Sequence, residues 1–343
     1  MRLAFLNLPP AERQLYFEQV AARRGLYAAI VEKDFWVCWL LGVLFADPAL
    51  RAALVFKGGT SLSKVHGAIE RFSEDIDLSV SPVFLGIEEG ELKLEAGRGE
   101  RDRWMKSLQE RCALRVQSDI QPRMETIAVA ALGPRPGGLA WLEYADDAAD
   151  QSPVLLFHYP SRAGGGFSYL PRSVKLEFGS LTEQRPVGEH VVHPWVAEDL
   201  PQAFGDWHAD VVALDVGRSF WEKATILHAE YHRDLNTPIP LRYSRHYADT
   251  AALGRLAIIE PALQDDVLRD RVVAWKTRFF SRTWARYDLA KRGTFRLVPP
   301  EQRMAELAAD YADMQPMFFK APPSFETVMG MLKLLEDRVN RAD

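Results

Sequence analysis

The chain has 343 residues, enough for one large or two ordinary domains that each bury a core. Hydrophobic residues make up 48% and charged residues 26%, values close to the globular average, which exclude a disordered or fibrous chain. The formal net charge of -5 excludes a global positive field, so any binding of nucleic acid must be local.

Cysteine content and hydropathy bear on the compartment. Cys38 and Cys112 are the only cysteines, too few for a disulfide framework or a cysteine zinc site, which suits a reducing cytoplasm. The longest apolar stretch, residues 35–46, falls short of the roughly 20 residues that span a bilayer. We therefore expect a cytoplasmic protein without a secretion signal or a membrane partner.

The N-terminal part predicts two helices followed by a strand, a glycine turn, a third helix and a second strand. We expect helices at residues 10–25, 27–45 and 60–69, and strands at residues 54–56 and 76–80.

The middle of the chain predicts a charged helix and then several short strands that complete a sheet. The helix is expected at residues 87–116 with an interruption near 97–99, and the strands at 126–131, 139–142, 154–159 and 173–178. Glycine and proline predict loops at residues 133–138 and 162–166.

From about Val216 onward the pattern turns helical. Helices are expected at residues 218–233, 244–253, 263–286, 300–310 and 324–339.

Asp75-Ile76-Asp77 carries a chemical signal, because residues two apart in a strand share a face. Its two carboxylates would point at one spot while Ile76 points into the core. Nucleotidyl transfer uses two divalent cations, held by carboxylates, that clamp the attacking and leaving oxygens. The alternative is an acidic strand end in solvent, where such pairs are common.

Lys57, Gly58, Gly59, Thr60 and Ser61 occupy the predicted turn from strand to helix and form a candidate phosphate-binding segment. Glycines let the backbone approach phosphate, and free N–H groups at a helix start attract anions. The spacing is not that of a Walker loop. The alternative is a turn that only connects the two elements.

The sequence resembles the AbiEii/AbiGii toxin family of DNA polymerase β-like nucleotidyltransferases. KGGTSLSK at residues 57–64 and RFSEDIDL at residues 71–78 resemble the first motif of that family. Further matches follow in the family's order at residues 32–37, 220–223, 245–249, 310–314 and 335–340.

The resemblance implies an α+β nucleotidyltransferase fold with a mixed β-sheet flanked by helices and a helical C-terminal lobe. We expect a nucleotidyltransferase domain with its N-terminal helices at residues 1–205 and a helical domain at residues 206–343. Asp75 and Asp77 would bind Mg²⁺ (or Mn²⁺), and Ser61 would contact the triphosphate of the NTP.

The resemblance also implies partners. Toxins of this family belong to toxin-antitoxin systems, and some add nucleotides to the 3' end of tRNA. An RNA acceptor and a cognate antitoxin protein are therefore expected.

Glu177 is the candidate for a third carboxylate, which would serve as metal ligand or as base for the incoming hydroxyl. Alternation over residues 174–178 places it with Lys175 on the face opposite the apolar residues. Lys175 would then steady phosphate charge. Many polymerase β-like enzymes have Asp at this point, so the role of Glu177 stays open, and a cross-strand ion pair is the alternative.

Lys223, Arg245 and Asp249 are the candidate site residues of the C-terminal part. Lys223 borders the apolar stripe of its helix, from which it could reach the triphosphate. Arg245 and Asp249 are four apart on a helix, so Arg245 would hold phosphate and Asp249 would orient Arg245 or Lys223. The alternatives are a solvated lysine and a simple intrahelical ion pair.

Two further groups of residues are weaker signals. His228 and His232 lack the spacing of the His-Glu-x-x-His metal motif and are interpreted as surface histidines. Residues 278–296 interleave basic and aromatic side chains, a pattern that suits phosphates and unpaired bases of RNA. The alternative for this segment is a core helix with a basic solvent face.

The leading hypothesis is a metal-dependent toxin that moves an NMP from an NTP to an RNA acceptor, possibly the 3' end of a tRNA, in a toxin-antitoxin or phage-defence system. One alternative is a nucleotidyltransferase that modifies a small molecule or a protein side chain. The other is an inactive nucleotidyltransferase-fold protein that only binds.

Overall fold

The computed structural model describes residues 5–87, 97–147, 152–161, 171–280 and 282–341. Its contacts fall into two compact units. The first comprises the described residues of Met1–Val65 and Ser73–Ala213, and the second those of His66–Phe72 and Leu214–Asp343. The domain division predicted at residues 205 and 206 stays a prediction.

In the described part of the first unit, the helices that precede the sheet include α1 (Pro10–Arg24), α2 (Ala28–Ala46) and α3 (Pro48–Ala53). α1 starts with a proline, whose missing N–H has no helical partner at that position, and ends at Gly25 in the left-handed conformation. α2 is buried on all sides from Ile30 to Leu41, and apart from three consecutive charged residues this stretch is apolar. Asp47 separates α2 from α3 and caps α3 by accepting from Ala49 N and Leu50 N.

A seven-stranded mixed sheet forms the centre of the first unit, with strand order β3-β4-β5-β2-β1-β7-β6. β1 pairs antiparallel with β2 and parallel with β7, and β2 pairs parallel with β5. The strands are β1 (Leu54–Lys57), β2 (Ile76–Val80), β3 (Leu142–Asp146), β4 (Pro153–Phe157), β5 (Val174–Gly179), β6 (Val187–Val192) and β7 (Ala209–Leu214).

Alternation along the central strands separates a core face from a polar face. Ile76 and Leu78 of β2, and Leu176 of β5, are fully buried. The residues that alternate with these apolar ones, Asp77 in β2 and Lys175 and Glu177 in β5, are polar and half-buried. The strand periodicity read from the sequence is therefore confirmed for β2 and β5.

Five further helices of the first unit are α4 (Gly58–Lys64), α5 (Arg98–Arg115), α6 (Gln121–Leu132), α7 (Trp195–Asp199) and α8 (Pro201–Phe204). A π-helical turn at Val116–Ile120 joins α5 to α6.

Several element predictions were wrong. Residues 126–131, predicted as a strand, lie in α6, where Met124 and Ala128 are buried at helical spacing while Ile127 and Val129 are exposed. Here packing of one helical face overrides the β-branched composition. The helix predicted at residues 60–69 ends at Lys64, and the strand predicted at 139–142 begins only at Leu142. Residues 162–166 and 88–96 lie outside the described residues.

The second unit is built mainly of helices: α9 (Val216–Tyr231), α10 (Ser244–Leu253), α11 (Glu260–Gln264), α12 (Asp266–Phe279), α13 (Met304–Asp313) and α14 (Phe325–Asn340). The single long helix predicted at residues 263–286 is instead α11 and α12 followed by 3₁₀ turns, because Asp265 breaks the helix and caps α12 by accepting from Leu268 N. Gly217 lets α9 approach α11 closely, since a Cβ there would lie 2.6 Å from Ala262 Cβ.

The short segment His66–Phe72 belongs to the second unit although it lies between α4 and β2 in the chain. Phe72 N donates to Met317 O and Phe319 N donates to Glu70 O, at 2.7 and 3.1 Å. Arg71 forms an isolated antiparallel bridge with Phe318.

The mixed sheet and the separate helical part confirm the predicted α+β class. None of the described helices is long and apolar enough to cross a membrane.

Candidate active site

Three charged residues form a row across adjacent strands of the first unit. Asp77 of β2 pairs with Lys57 of β1 on one side and with Glu177 of β5 on the other. Directly paired residues point to the same face of a sheet, so the three side chains share the polar face. Pairing of β2 with β5 was not predicted from the sequence, yet it brings together Asp77 and the predicted third carboxylate.

Gly58 fits tightly against Asp77. Its φ is +77°, and a Cβ at this position would lie 1.8 Å from Asp77 Oδ2. Only glycine therefore permits both this backbone conformation and this approach to the carboxylate. The predicted glycine turn and the predicted Asp-x-Asp strand thus meet, as the site hypothesis requires.

Asp75 precedes β2 and is linked to the same turn. Thr60 Oγ1 donates to the backbone O of Asp75 at 2.5 Å. Burial, together with the negative charges of Asp77, Glu74 and Glu177, raises the pKa of Asp75 to about 7. A carboxyl crowded by other carboxylates in this way is typical of functional sites.

Ser61 is buried, 1% exposed, and within the described residues its hydroxyl has no hydrogen-bond partner. A buried hydroxyl without a partner costs about 1–3 kcal/mol, so such atoms are rare unless a ligand completes them. The orphaned Ser61 Oγ therefore fits the predicted contact with a triphosphate. Thr60 differs, because its hydroxyl already donates to Asp75.

Lys175 and Glu177 form an ion pair within β5 rather than across strands. Lys175 Nζ lies 2.5 Å from Glu177 Oε1 and 2.8 Å from Asp147 Oδ2. Burial alone would lower the pKa of Lys175, but the bonds to Asp147 and Glu177 outweigh it and raise the pKa. Burial and the charge of Asp77 raise the pKa of Glu177. Sequence reasoning missed Asp147, which follows β3 without a recognisable motif.

The acidic residues of the first unit suit a divalent cation by charge. Desolvation and mutual repulsion raise the pKa of Asp75 and of Glu177, and a cation would relieve that repulsion. Carboxylate oxygens are also the ligands that Mg²⁺ prefers. Across the described ranges, however, no three His, Cys, Asp or Glu side chains already converge as a metal-binding group. Lys175 holds one oxygen of Glu177 in this arrangement.

Asp249 is the centre of a buried charged cluster in the second unit and is itself 1% exposed. Lys223 Nζ lies 2.8 Å from Asp249 Oδ2, which is one of the two contacts considered for Asp249 from the sequence. Arg71 adds a bidentate pair, with Nε and an Nη at 2.7 Å from the two carboxylate oxygens. Burial would raise the pKa of Asp249, but Arg71 and Lys223 lower it well below its usual range.

Arg71 was missed as a site residue. It precedes the acidic strand in RFSED, and only tertiary structure shows that it belongs to the second unit. Burial lowers the pKa of Lys223, and the positive charges of Arg71 and Arg245 lower it further. The negative charge of Asp249 raises the pKa but does not offset this decrease.

Arg245 is exposed and has no ion pair with Asp249 in the described structure. The intrahelical pair considered from the four-residue spacing is therefore absent, because Arg71 and Lys223 occupy the carboxylate of Asp249.

His228 is fully buried, so its interpretation as a surface histidine was wrong. Its Nδ1 accepts from Arg296 N at 3.1 Å, and its Nε2 lies 3.0 Å from Arg286 O, which makes Nε2 the protonated nitrogen. Burial lowers the pKa of His228 to about 4.

The basic and aromatic segment at residues 278–296 is neither a continuous core helix nor a uniform surface. Phe279 and Phe295 are buried, whereas Trp284 is 39% exposed. Arg292 is held by Asp266 at 2.8 Å, and Arg286 pairs with Asp288.

Comparison with known proteins decides the family. The sequence model described as "Nucleotidyl transferase AbiEii toxin, Type IV TA system" matches residues 39–331. The chain belongs to the AbiEii family. It is therefore an NTP-using nucleotidyltransferase toxin of the type IV toxin-antitoxin class, which confirms the predicted family and enzyme class.

A solved structure is also similar to this AbiEii protein: MenT4, a nucleotidyltransferase toxin from Mycobacterium tuberculosis H37Rv. The sequence identity is 17% and the TM-score 0.46, and the alignment covers 95% of this chain and 99% of that chain. No curated protein matches the AbiEii chain significantly.

Proposed function

We propose that this AbiEii-family protein transfers an NMP from an NTP to an RNA acceptor such as the 3' end of a tRNA. An acceptor hydroxyl attacks the α-phosphorus, the new P–O bond forms, the bond to the β-phosphate breaks, and pyrophosphate leaves. The observation that carries this proposal is the close fit of the Gly58 turn against Asp77, which joins a phosphate-binding segment to the carboxylates.

The carboxylates supply metal ligands and a base. Asp75, Asp77 and Glu177 would hold Mg²⁺ or Mn²⁺. When bound, such ions neutralise charge on the phosphates and favour in-line displacement. Glu177 would serve either as a third metal ligand or as the base for the incoming hydroxyl.

The glycine turn would bind the triphosphate. Gly58 and Gly59 permit close approach of the backbone, and Thr60 and Ser61 contribute their N–H groups. Ser61 adds its free hydroxyl. Lys57 would balance phosphate charge from the end of β1.

Lys175, Lys223, Arg245 and Asp249 keep their predicted roles in the proposal. Lys175 balances charge on Glu177 and on phosphate. Lys223 and Arg245 bind the triphosphate, and Asp249 orients Lys223, with which it forms an ion pair.

The RNA acceptor is supported by the exposed side chains of the basic and aromatic segment. Arg282, Trp284 and Lys291 are exposed. Together they suit contacts to phosphates and stacking on an unpaired base. In this proposal the toxin acts in phage defence and a cognate antitoxin restrains it.

Incubation of the protein with α-labelled NTPs and total RNA, followed by sequencing of RNA 3' ends, tests the function. We expect untemplated nucleotides at acceptor 3' ends with the wild type, and none with Asp77→Asn, which preserves side-chain shape. If the label appears only on protein or on a small molecule, that molecule is the acceptor and the RNA acceptor is ruled out. Identical incorporation by both proteins would eliminate the carboxylate site.

A further inference from the structure

Three consecutive charged residues of α2, Glu32, Lys33 and Asp34, are all buried, with exposures of 3%, 1% and 4%. Successive helical residues point about 100° apart, so the three side chains leave α2 in different directions. Burying a charge costs several kcal/mol unless it is well paired, and apolar residues would pack α2 at lower cost. The burial of these charges therefore points to a functional role for the contacts that they make.

Lys33 reaches the segment that carries the first candidate metal ligand. Its Nζ forms a hydrogen-bonded ion pair with Glu74, which directly precedes Asp75. The same ammonium donates to Pro171 O at 3.3 Å, just before β5, the strand of Glu177. The Lys33 side chain on α2 thus contacts both segments that lead into strands with candidate metal ligands, the one before β2 and the one before β5.

Asp34 reaches the helix that follows the glycine turn. Its Oδ1 lies 2.7 Å from Nζ of Lys64, the last residue of α4, and its Oδ2 accepts from Trp195 N at 2.8 Å. Lys64 is 7% exposed, so this pair is also shielded from water. α4 begins at Gly58, which means that Asp34 holds the far end of the helix containing Thr60 and Ser61.

We propose that Lys33 and Asp34 are positioning residues of the transfer site, an inference that rests on the proposed function. Lys33 fixes the Asp75 segment and Asp34 fixes α4 against one rigid helix. The carboxylates and the Ser61 hydroxyl thereby keep their spacing when phosphate and cation bind. Neither residue touches the reacting atoms. Glu32 accepts from Ser161 Oγ at 2.6 Å and has no comparable link to a candidate site residue.

Mn²⁺ affinity, measured by the EPR signal of free Mn²⁺, tests the role of Lys33 without requiring turnover. We expect Lys33→Met to weaken Mn²⁺ binding roughly 10- to 100-fold, the usual effect of removing a group that orients ligands. Lys33→Arg keeps the cation and should recover part of the loss. The control Lys276→Met breaks the Lys276–Glu222 pair of the second unit, at 2.5 Å, and should lower the melting temperature with unchanged Mn²⁺ affinity.

The double variant Lys33→Met with Glu74→Gln removes both charges and so avoids a stranded buried carboxylate. If Lys33 positions the segment, this variant folds and still binds Mn²⁺ weakly. Wild-type affinity in the double variant would overturn the proposal, because the pair would then act only by neutralising charge.

Asp34→Asn tests the second link through the nucleotide. Asparagine keeps an acceptor for Trp195 N but loses the ion pair with Lys64, so we expect a higher KM for NTP with a smaller change in kcat. If the wild type is active but Asp34→Asn has an unchanged KM and Lys33→Met has an unchanged Mn²⁺ affinity, the positioning proposal is overturned while the proposed function stands. A wild type that neither binds Mn²⁺ nor transfers NMP would overturn the proposed function as well.

Discussion

At the scale of single residues, the contact between Gly58 and Asp77 has no spare room. A methyl group at residue 58 would collide with the carboxylate of Asp77, the middle residue of the charged row Lys57–Asp77–Glu177. The side chain that would move is the one on which metal binding is proposed to depend. Position 58 is thus constrained by chemistry as well as by backbone conformation.

Gly58→Ala should lower nucleotidyl transfer at least 100-fold, because a displacement of about 1 Å in a catalytic group can cost that much. Gly25→Ala is the matched control, since Gly25 also has a positive φ, +67°, but nothing lies within 4 Å of the added Cβ. Both variants should lose stability, measured by urea unfolding, and only Gly58→Ala should lose activity. Equal activity in both would show that the Asp77 contact is unimportant.

Ser61→Ala should increase the free energy of unfolding by about 1 kcal/mol, since it removes a buried hydroxyl that has no partner. The same change should raise KM for NTP, because the hydroxyl is proposed to contact the triphosphate. Ser79→Ala is the control: Ser79 is equally buried but donates to Thr182 O at 3.1 Å, so its loss should destabilise. A destabilised Ser61→Ala with normal KM would contradict the assignment.

At the scale of elements, His228 joins α9 to two backbone positions that lie far along the chain. It accepts from Arg296 N–H and donates to Arg286 C=O, so it must be neutral to make both bonds. Helix α9 also carries Lys223. Protonation of His228 would therefore loosen the helix that presents a candidate site residue.

Stability should fall as the pH drops below about 6.5. The pKa of His228 is lowered to about 4, so between these values the unfolded chain binds a proton that the folded protein does not. Between pH 7 and pH 5, His228 should lower the free energy of unfolding by about 2 kcal/mol, as measured by urea unfolding. His228→Gln, which retains a donor and an acceptor, should show a correspondingly smaller pH dependence. An unchanged slope would mean that His228 titrates normally.

At the scale of the whole molecule, the second unit takes residues 66–72 from the middle of the first. Arg71 in this segment donates two hydrogen bonds to Asp249 of α10, deep in the second unit. Its loss would leave that buried carboxylate with Lys223 as its one remaining ion-pair partner among the described residues.

Arg71→Met should lower the free energy of unfolding by about 3–5 kcal/mol, the usual cost of breaking a buried ion pair from one side. Arg269→Met is the comparison. Arg269 is as buried as Arg71, but its partners Asp266 and Asp270 are 47% and 64% exposed and remain solvated without it. Differential scanning calorimetry should show the larger loss for Arg71→Met, and equal losses would contradict the explanation.

Much of this architecture could be predicted from the sequence where local signals and burial agree. β2 was predicted at its observed residues, because apolar and polar residues alternate there. α6 was mistaken for a strand, since its β-branched residues are exposed and packing of the opposite face decides the conformation.

Candidate site residues could be proposed from the sequence where one short segment holds them, as in the glycine turn and the Asp-x-Asp strand. Arg71, Asp147 and the charged residues of α2 could not be assigned, because their partners lie 28 to 178 residues away. Such pairings depend on tertiary contacts that no local pattern encodes.

The path of residues 66–72 also determines how the protein can be divided. A shortened chain that ends at Ala213 would keep the loop from α4 to β2 but remove Met317 and Asp249, its hydrogen-bond partners. That loop is the direct covalent connection between the glycine turn and the aspartates. Isolation of the catalytic half therefore calls for a redesigned loop, not merely an earlier stop codon.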